Sequence, residues 1–241
     1  MSREVSGGNG GVKAVLTADI DLGGYPWTPI GSGAVPFAGS FDGAGHTVCG
    51  LSVDAEEYLG LLGYVQGGEV KNVTVQGDMQ HTGIASYVGG IAGWINGRYG
   101  TDDASINPAI ENCTNSGSVQ IAGSGSGYAG GIVGLLGYDT TSGNYKTAGI
   151  PTVSGCYSSG TVSSESGKAR TGGIVGCFSQ GLLENVYMLR GSAAGVIAEL
   201  TTNATAAQTA GDCLILRHQD FIRTGHSSRN SATPKDKKRI C

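Results

Sequence analysis

The stretch Gly130-Gly131-Ile132-Val133-Gly134 recurs along this chain. Gly89-Gly90-Ile91-Ala92-Gly93 precedes it, Gly172-Gly173-Ile174-Val175-Gly176 follows it, and Leu59-Gly60-Leu61-Leu62-Gly63 is a weaker first copy. Recurrence in fixed order marks a repeat architecture, in which each unit buries its apolar face against its neighbours. The equivalent glycines Gly63, Gly93, Gly134 and Gly176 lie 30, 41 and 42 residues apart. One coil of three short strands needs about 20–25 residues, so the excess is inserted sequence. The stretch carries no lysine and opens no helical pattern, which excludes a phosphate-cradling loop. Glycine makes up 44 of 241 residues without a Gly-X-Y period, so the enrichment belongs to repeat corners rather than to collagen.

A second segment follows each core. Val48-Cys-Gly-Leu51, Val70-Lys-Asn-Val73, Ile110-Glu-Asn-Cys113, Val153-Ser-Gly-Cys156 and Leu183-Glu-Asn-Val186 share apolar ends and Asn or Gly in third place. Asn and Gly both tolerate the left-handed conformation of a sharp bend. A third segment closes three units: Gly77 after Val75, Gly117-Ser-Val119 and Gly160-Thr-Val162. Each unit therefore reads as three short strands separated by bends. Stacked edge to edge at about 4.8 Å, roughly six such coils make a rod about 30 Å long. Equivalent side chains then form ladders: Leu61, Ile91, Ile132 and Ile174 in one, Leu51, Val73, Cys113, Cys156 and Val186 in another. Upstream, residues 12–22 read as one strand, Trp27–Ile30 as an extended piece, and Phe37–Phe41 as a strand closed by Asp42-Gly43.

Net charge is −4, unevenly spread. Residues 1–211 hold 8 Lys/Arg and 16 Asp/Glu; residues 212–241 hold 7 and 3. An acidic body argues against nucleic-acid binding, which needs a basic face. The expected division is a repeat body, 1–211, and a basic tail, 212–241, without repeat, disordered or not native to the domain. No apolar run is long enough to span a membrane. The N-terminus has no signal-peptide core, so the protein is either cytoplasmic or a piece of a longer chain. Six cysteines show no zinc spacing. They read as small buried hydrophobes, with Cys113 and Cys156 the one pair placed for a disulfide.

The Gly-Gly-Ile-Val-Gly core, the Asn-Cys or Gly-Cys-Tyr turn and the Ser-Gly-Thr-Val close together resemble the GLUG repeat of bacterial surface and secreted proteins. Gly172–Gly176 with Leu183-Glu-Asn-Val-Tyr187 matches similarly. Thr17-Ala-Asp-Ile-Asp-Leu-Gly23, Trp27-Thr-Pro-Ile-Gly31 and Phe37–Val48 look like the coil that commonly precedes such repeats. The resemblance covers about residues 14–200. It implies an all-β, right-handed parallel β-helix within a large exported protein, a stalk or an adhesin at the bacterial surface. Such repeats also stand beside the metallopeptidase domain of IgA-cleaving enzymes, but the His-Glu-x-x-His zinc motif is absent here. The resemblance thus implies no catalytic residue and no cofactor. Departures are Gly155 where Asn is usual, the long inserts, and the C-terminus.

Insertions in a repeat fold fall on one face, often the binding face. Two inserts, 97–108 and 138–151, sit at the same place in consecutive units. They bring Tyr99, Asp102, Asp103 and Asn107 beside Tyr138, Asp139, Asn144 and Tyr145. Aromatic faces with carboxylates and amides suit a glycan or a host surface protein, and the oxygens suit Ca²⁺. Solvated loops without a ligand, hence an inert spacer, are the plainer alternative. A carbohydrate-active enzyme on the same fold needs two facing carboxylates about 5 Å or 6.5–9.5 Å apart. Asp102 and Asp103 are adjacent and point apart if extended; Asp19 and Asp21 share a strand face in a structural coil. His46 and His81 read as packing histidines. The glycosylation triplets at Asn72, Asn112 and Asn203 read as incidental, two of them being the repeat's own turn residue.

Overall fold

In the computed structural model the described residues are 1–23, 25–53, 57–81, 86–99, 105–123, 125–138, 149–200, 208–210 and 214–216. The fold is all-β apart from a one-turn helix, Ser2–Ser6, whose Val5 is fully buried. Strands stack in parallel into four sheets, the arrangement of a parallel β-helix. The first sheet runs Lys13–Val15, Ser40–Asp42, Glu69–Lys71, Ala109–Glu111, Thr152–Ser154, Leu182–Glu184 and Gln208–Ala210. The second includes Thr47–Val53, Thr74–His81, Thr114–Asn115, Tyr157–Ser158 and Tyr187–Leu189. The third is Leu62–Gln66, Ala92–Asn96, Val133–Leu136, Val175–Phe178 and Ile197–Leu200; the fourth is Tyr58–Leu59, Ser86–Gly89, Gly127–Gly130 and Ala169–Gly172.

The recurring glycine stretch is the corner between the fourth and third sheets. There Leu62 donates its N–H to Ile91 O, Ile91 to Ile132 O, Ile132 to Ile174 O and Ile174 to Val196 O, at 2.9–3.0 Å. Each corner amide thus finds its acceptor one coil further on, which is how a buried bend escapes the cost of unpaired backbone. The ladder Leu61, Ile91, Ile132 and Ile174 is fully buried, as expected. The second glycine of each corner has a packing reason. A Cβ at Gly90 would collide with the Asn115 amide, and one at Gly131 with Ser158 Oγ and Gly173 O. The corner presses directly onto the facing second sheet.

Asn72, Asn112 and Asn185 adopt φ of 54°, 52° and 50°, and Gly155 adopts 60°. The third-place Asn or Gly is therefore the left-handed bend that the pattern predicts. Val73, Cys113, Cys156 and Val186 stack beneath it, all buried.

The first coil departs from its expected alignment. Val48 pairs with Val75 and Leu51 with Gly77, while Phe41 pairs with Val70. Leu51 thus leaves the Val73 ladder, and Val48-Cys-Gly-Leu51 is not the counterpart of Val70–Val73. Four residues, 43–46, link the first and second sheets here, where the next coil uses two, 72–73. Residues 12–22 likewise form two strands, Lys13–Val15 and Ile20–Asp21, in different sheets. Asp19 holds the bend between them by accepting the Thr47 N–H at 2.9 Å. A unit also has four faces rather than three strands, because the segment before each glycine corner builds its own sheet.

Candidate functional site

Two corners could present chemistry. At the glycine corner, the residue two places before the first glycine and the residue after the last one form two adjoining rows. Register stacks Tyr58, Tyr87, Tyr128 and Arg170 in one row. Tyr64, Trp94, Leu135, Cys177 and Glu199 form the other, and rings meet across the two rows at 5.5–6.3 Å. Tyr58, Tyr87 and Tyr128 stack with centroids 6.1 and 5.8 Å apart; Tyr64 and Trp94 stack at 4.2 Å. Such pairs stabilise beyond their buried area. The rings therefore present edges more than faces, and a sugar needs a face. Arg170 Nε meets Glu199 Oε2 at 3.5 Å and closes the row. Burial pushes the Tyr64 hydroxyl up to about 12, and burial does the same to Tyr128, with nearby Cys177 and Glu199 adding to it. Neither phenol is poised to act as a base or nucleophile near neutral pH.

The second corner lies between the third and first sheets, where the two inserts leave the stack. Their bases touch. Asn107 Oδ1 accepts the Ile150 N–H at 2.8 Å, and Thr152 N–H bonds Pro108 O at 3.0 Å. Asn107 is exposed. Tyr138 is 8% exposed, and its carbonyl accepts a bond from Ser179 Oγ at 2.6 Å. Tyr99 lies in a two-residue strand, Arg98–Tyr99, antiparallel to Ser105–Ile106. Asp102, Asp103, Asp139, Asn144 and Tyr145 lie outside the described residues.

Beside these bases sits a polar group that sequence reasoning overlooked. Asn96 pairs in register with Gln66. It is 8% exposed, and its Oδ1 has no hydrogen-bond partner. Both amides bond the Tyr64 hydroxyl. Gly67 has φ of 79°, and the space above it is filled by the Arg98 side chain, whose Nε lies 2.6 Å from where a Cβ would stand. That Nε is buried and also lacks a partner. Trp94 Nε1, by contrast, is satisfied by Gly137 O at 2.6 Å.

The other candidates are tied to their own turns. Asp19 Oδ1 accepts from Thr47 N–H and lies 3.1 Å from His46 Nδ1, and these bonds hold its carboxyl below the usual range. Asp21 Oδ1 accepts the Gly23 N–H at 2.8 Å. His81 is buried. Among the described residues no three His, Cys, Asp or Glu side chains group as metal ligands. Cys113 and Cys156 are adjacent across coils, buried and free; their thiols donate to Glu111 O and Ser154 O. Burial pushes the Cys156 thiol well up, leaving it poorly nucleophilic. No helix among the described residues is long and apolar enough to cross a membrane.

No family model matches the sequence. Over 82 residues the chain is 35% identical to a protein of Evansella cellulosilytica described as "Putative Gly-rich membrane protein", covering 32% of this chain and 10% of that protein. The fold is similar to a crystal structure from Bacteroides ovatus described as a "putative immunoglobulin A1 protease". The TM-score is 0.58 at 26% identity, over 85% of this chain and 57% of that one. The chain thus spans about a tenth of the first protein and little more than half of the second.

Proposed function

We propose that this chain is a GLUG-type, right-handed parallel β-helix of roughly six coils. It serves as a non-catalytic module of an exported bacterial surface protein, holding a recognition face away from its anchor. The observation that carries this reading is the bond between Asn107 and Ile150. It joins the bases of two inserts at one corner of an otherwise regular stack, where repeat proteins place their binding loops. Likeness to parts of a Gly-rich membrane protein and of a named IgA1 protease supports a surface setting. A protease domain, on this reading, would be a neighbour of the module rather than part of it. The expected partner is a glycan or a host surface protein.

The test is binding to a glycan array and to host surface proteins. It compares the wild type with a variant whose inserts are replaced by the short turn of residues 66–69. The wild type should bind and the shortened chain should keep its fold but not bind. A wild type that binds nothing makes the module a spacer. Cleavage of a bound polysaccharide would replace the reading with that of a β-helix carbohydrate-active enzyme.

A further inference from the structure

Asn96 and Arg98 stand on either side of Gly97, at the root of the first insert. Register places Asn96 opposite Gln66, and Arg98 folds back over the next residue, Gly67. The two side chains therefore lie over adjoining positions of one neighbouring coil. Each withholds something. Asn96 keeps an unpartnered acceptor although more than nine-tenths of the residue is buried, and Arg98 keeps an unpartnered donor on a half-buried cation. Among the described residues Arg98 makes no ion pair. Buried polar atoms are ordinarily satisfied, and an orphaned pair of opposite kinds asks for a group that both donates and accepts. A guanidinium adds a preference for a carboxylate, which it can hold through two parallel bonds. The Tyr64–Trp94 stack next to them supplies an apolar edge.

We propose that Asn96 and Arg98 form a subsite for an acidic sugar, a carboxylate-bearing pyranose of the hexuronate or sialate kind. Arg98 holds the carboxylate, and Asn96 Oδ1 accepts a ring hydroxyl. Gly67 belongs to the subsite because a side chain there would displace Arg98. This inference rests on the surface-recognition reading and names its ligand class. It places the contact at the insert root, on residues held by the stack.

The test is calorimetric titration of the intact chain. The probes are glucuronate-containing and sialate-terminated oligosaccharides, each beside a neutral counterpart of the same linkage. Binding of either acidic probe in preference to its neutral partner supports the subsite, and the probe that binds names the source. Arg98→Ala should weaken that binding about tenfold or more, and Arg98→Lys should restore part of it, keeping the charge without the fork. Asn96→Asp should abolish it while raising the melting temperature, because the new carboxylate satisfies Arg98 from within. Equal binding of acidic and neutral probes, or unchanged acidic binding in a folded Arg98→Ala, overturns the subsite. If neutral glycans bind and the shortened-insert chain loses them, the acidic assignment fails and the recognition reading stands. If the wild type binds neither class of glycan nor any host protein, both fail.

Discussion

The two corners on either side of the third sheet use the same stack in opposite ways. At the glycine corner, backbone rests on backbone: Gly131 lies against Ser158 and Gly173, and every ring in the aromatic row has a neighbour. Little there is left to meet a ligand. At the insert corner the chain leaves the stack twice, and Asn96 Oδ1 and Arg98 Nε remain unpartnered. Ser158 Oγ at the glycine corner is also buried without a partner, but there the Gly131 and Gly173 backbone closes over it, whereas the insert corner sets an orphaned acceptor beside a half-buried cation.

Substitutions can break that contrast. The largest effect is expected at the glycine corner. Ile132→Ala removes a fully buried rung of the ladder and should cost about 3–4 kcal/mol in denaturant unfolding; a loss under about 1 kcal/mol would show that the rungs are not a packed core. Gly131→Ala should cost about 2–3 kcal/mol, since Ser158 Oγ can rotate away but Ser158 Cβ and Gly173 O cannot. At the insert corner the same kind of change should matter less. Asn107→Ala loses one exposed hydrogen bond to Ile150 and should cost about 0.5–1 kcal/mol with an unchanged m-value. A larger loss would mean that the insert bases are part of the core.

The smallest effect is at the first coil. The bonds from Thr47 N–H and His46 lower the Asp19 carboxyl, and those from Ala44 N–H and Asn72 lower Asp42. A folded pKa below the unfolded one means that the stabilisation is present above the unfolded value of 3.8 and fades as pH falls through the folded value. Asp19→Asn should therefore flatten the stability profile below about pH 4 and leave its shape at pH 7 unchanged. Equal acid sensitivity in the variant would contradict the assignment.

Much of this was legible in the residues. The isoleucine ladder, the left-handed Asn72, Asn112 and Asn185, and the adjacency of Cys113 and Cys156 follow from spacing, because a stack converts equal sequence offsets into spatial neighbours. Tyr58, Tyr87 and Tyr128 were legible by the same rule: each stands two residues before the first glycine of its corner, a periodicity outside the apolar pattern. The first coil was not legible. The extra residues in 43–46 shift its register, and apolar matching of Val48 with Val70 has no means of sensing that shift. Arg98 was not legible either, since its place depends on the φ of Gly67 in another coil.

The most direct test of this division of labour is amide and indole NMR of the chain during titration with the acidic oligosaccharide. Shifts should centre on Gly67, Asn96, Gly97, Arg98 and the Trp94 indole, with Gly89–Gly93 and Gly130–Gly134 unmoved. Shifts centred on Tyr87 and Tyr128, with Arg98 silent, would place recognition at the glycine corner and contradict it.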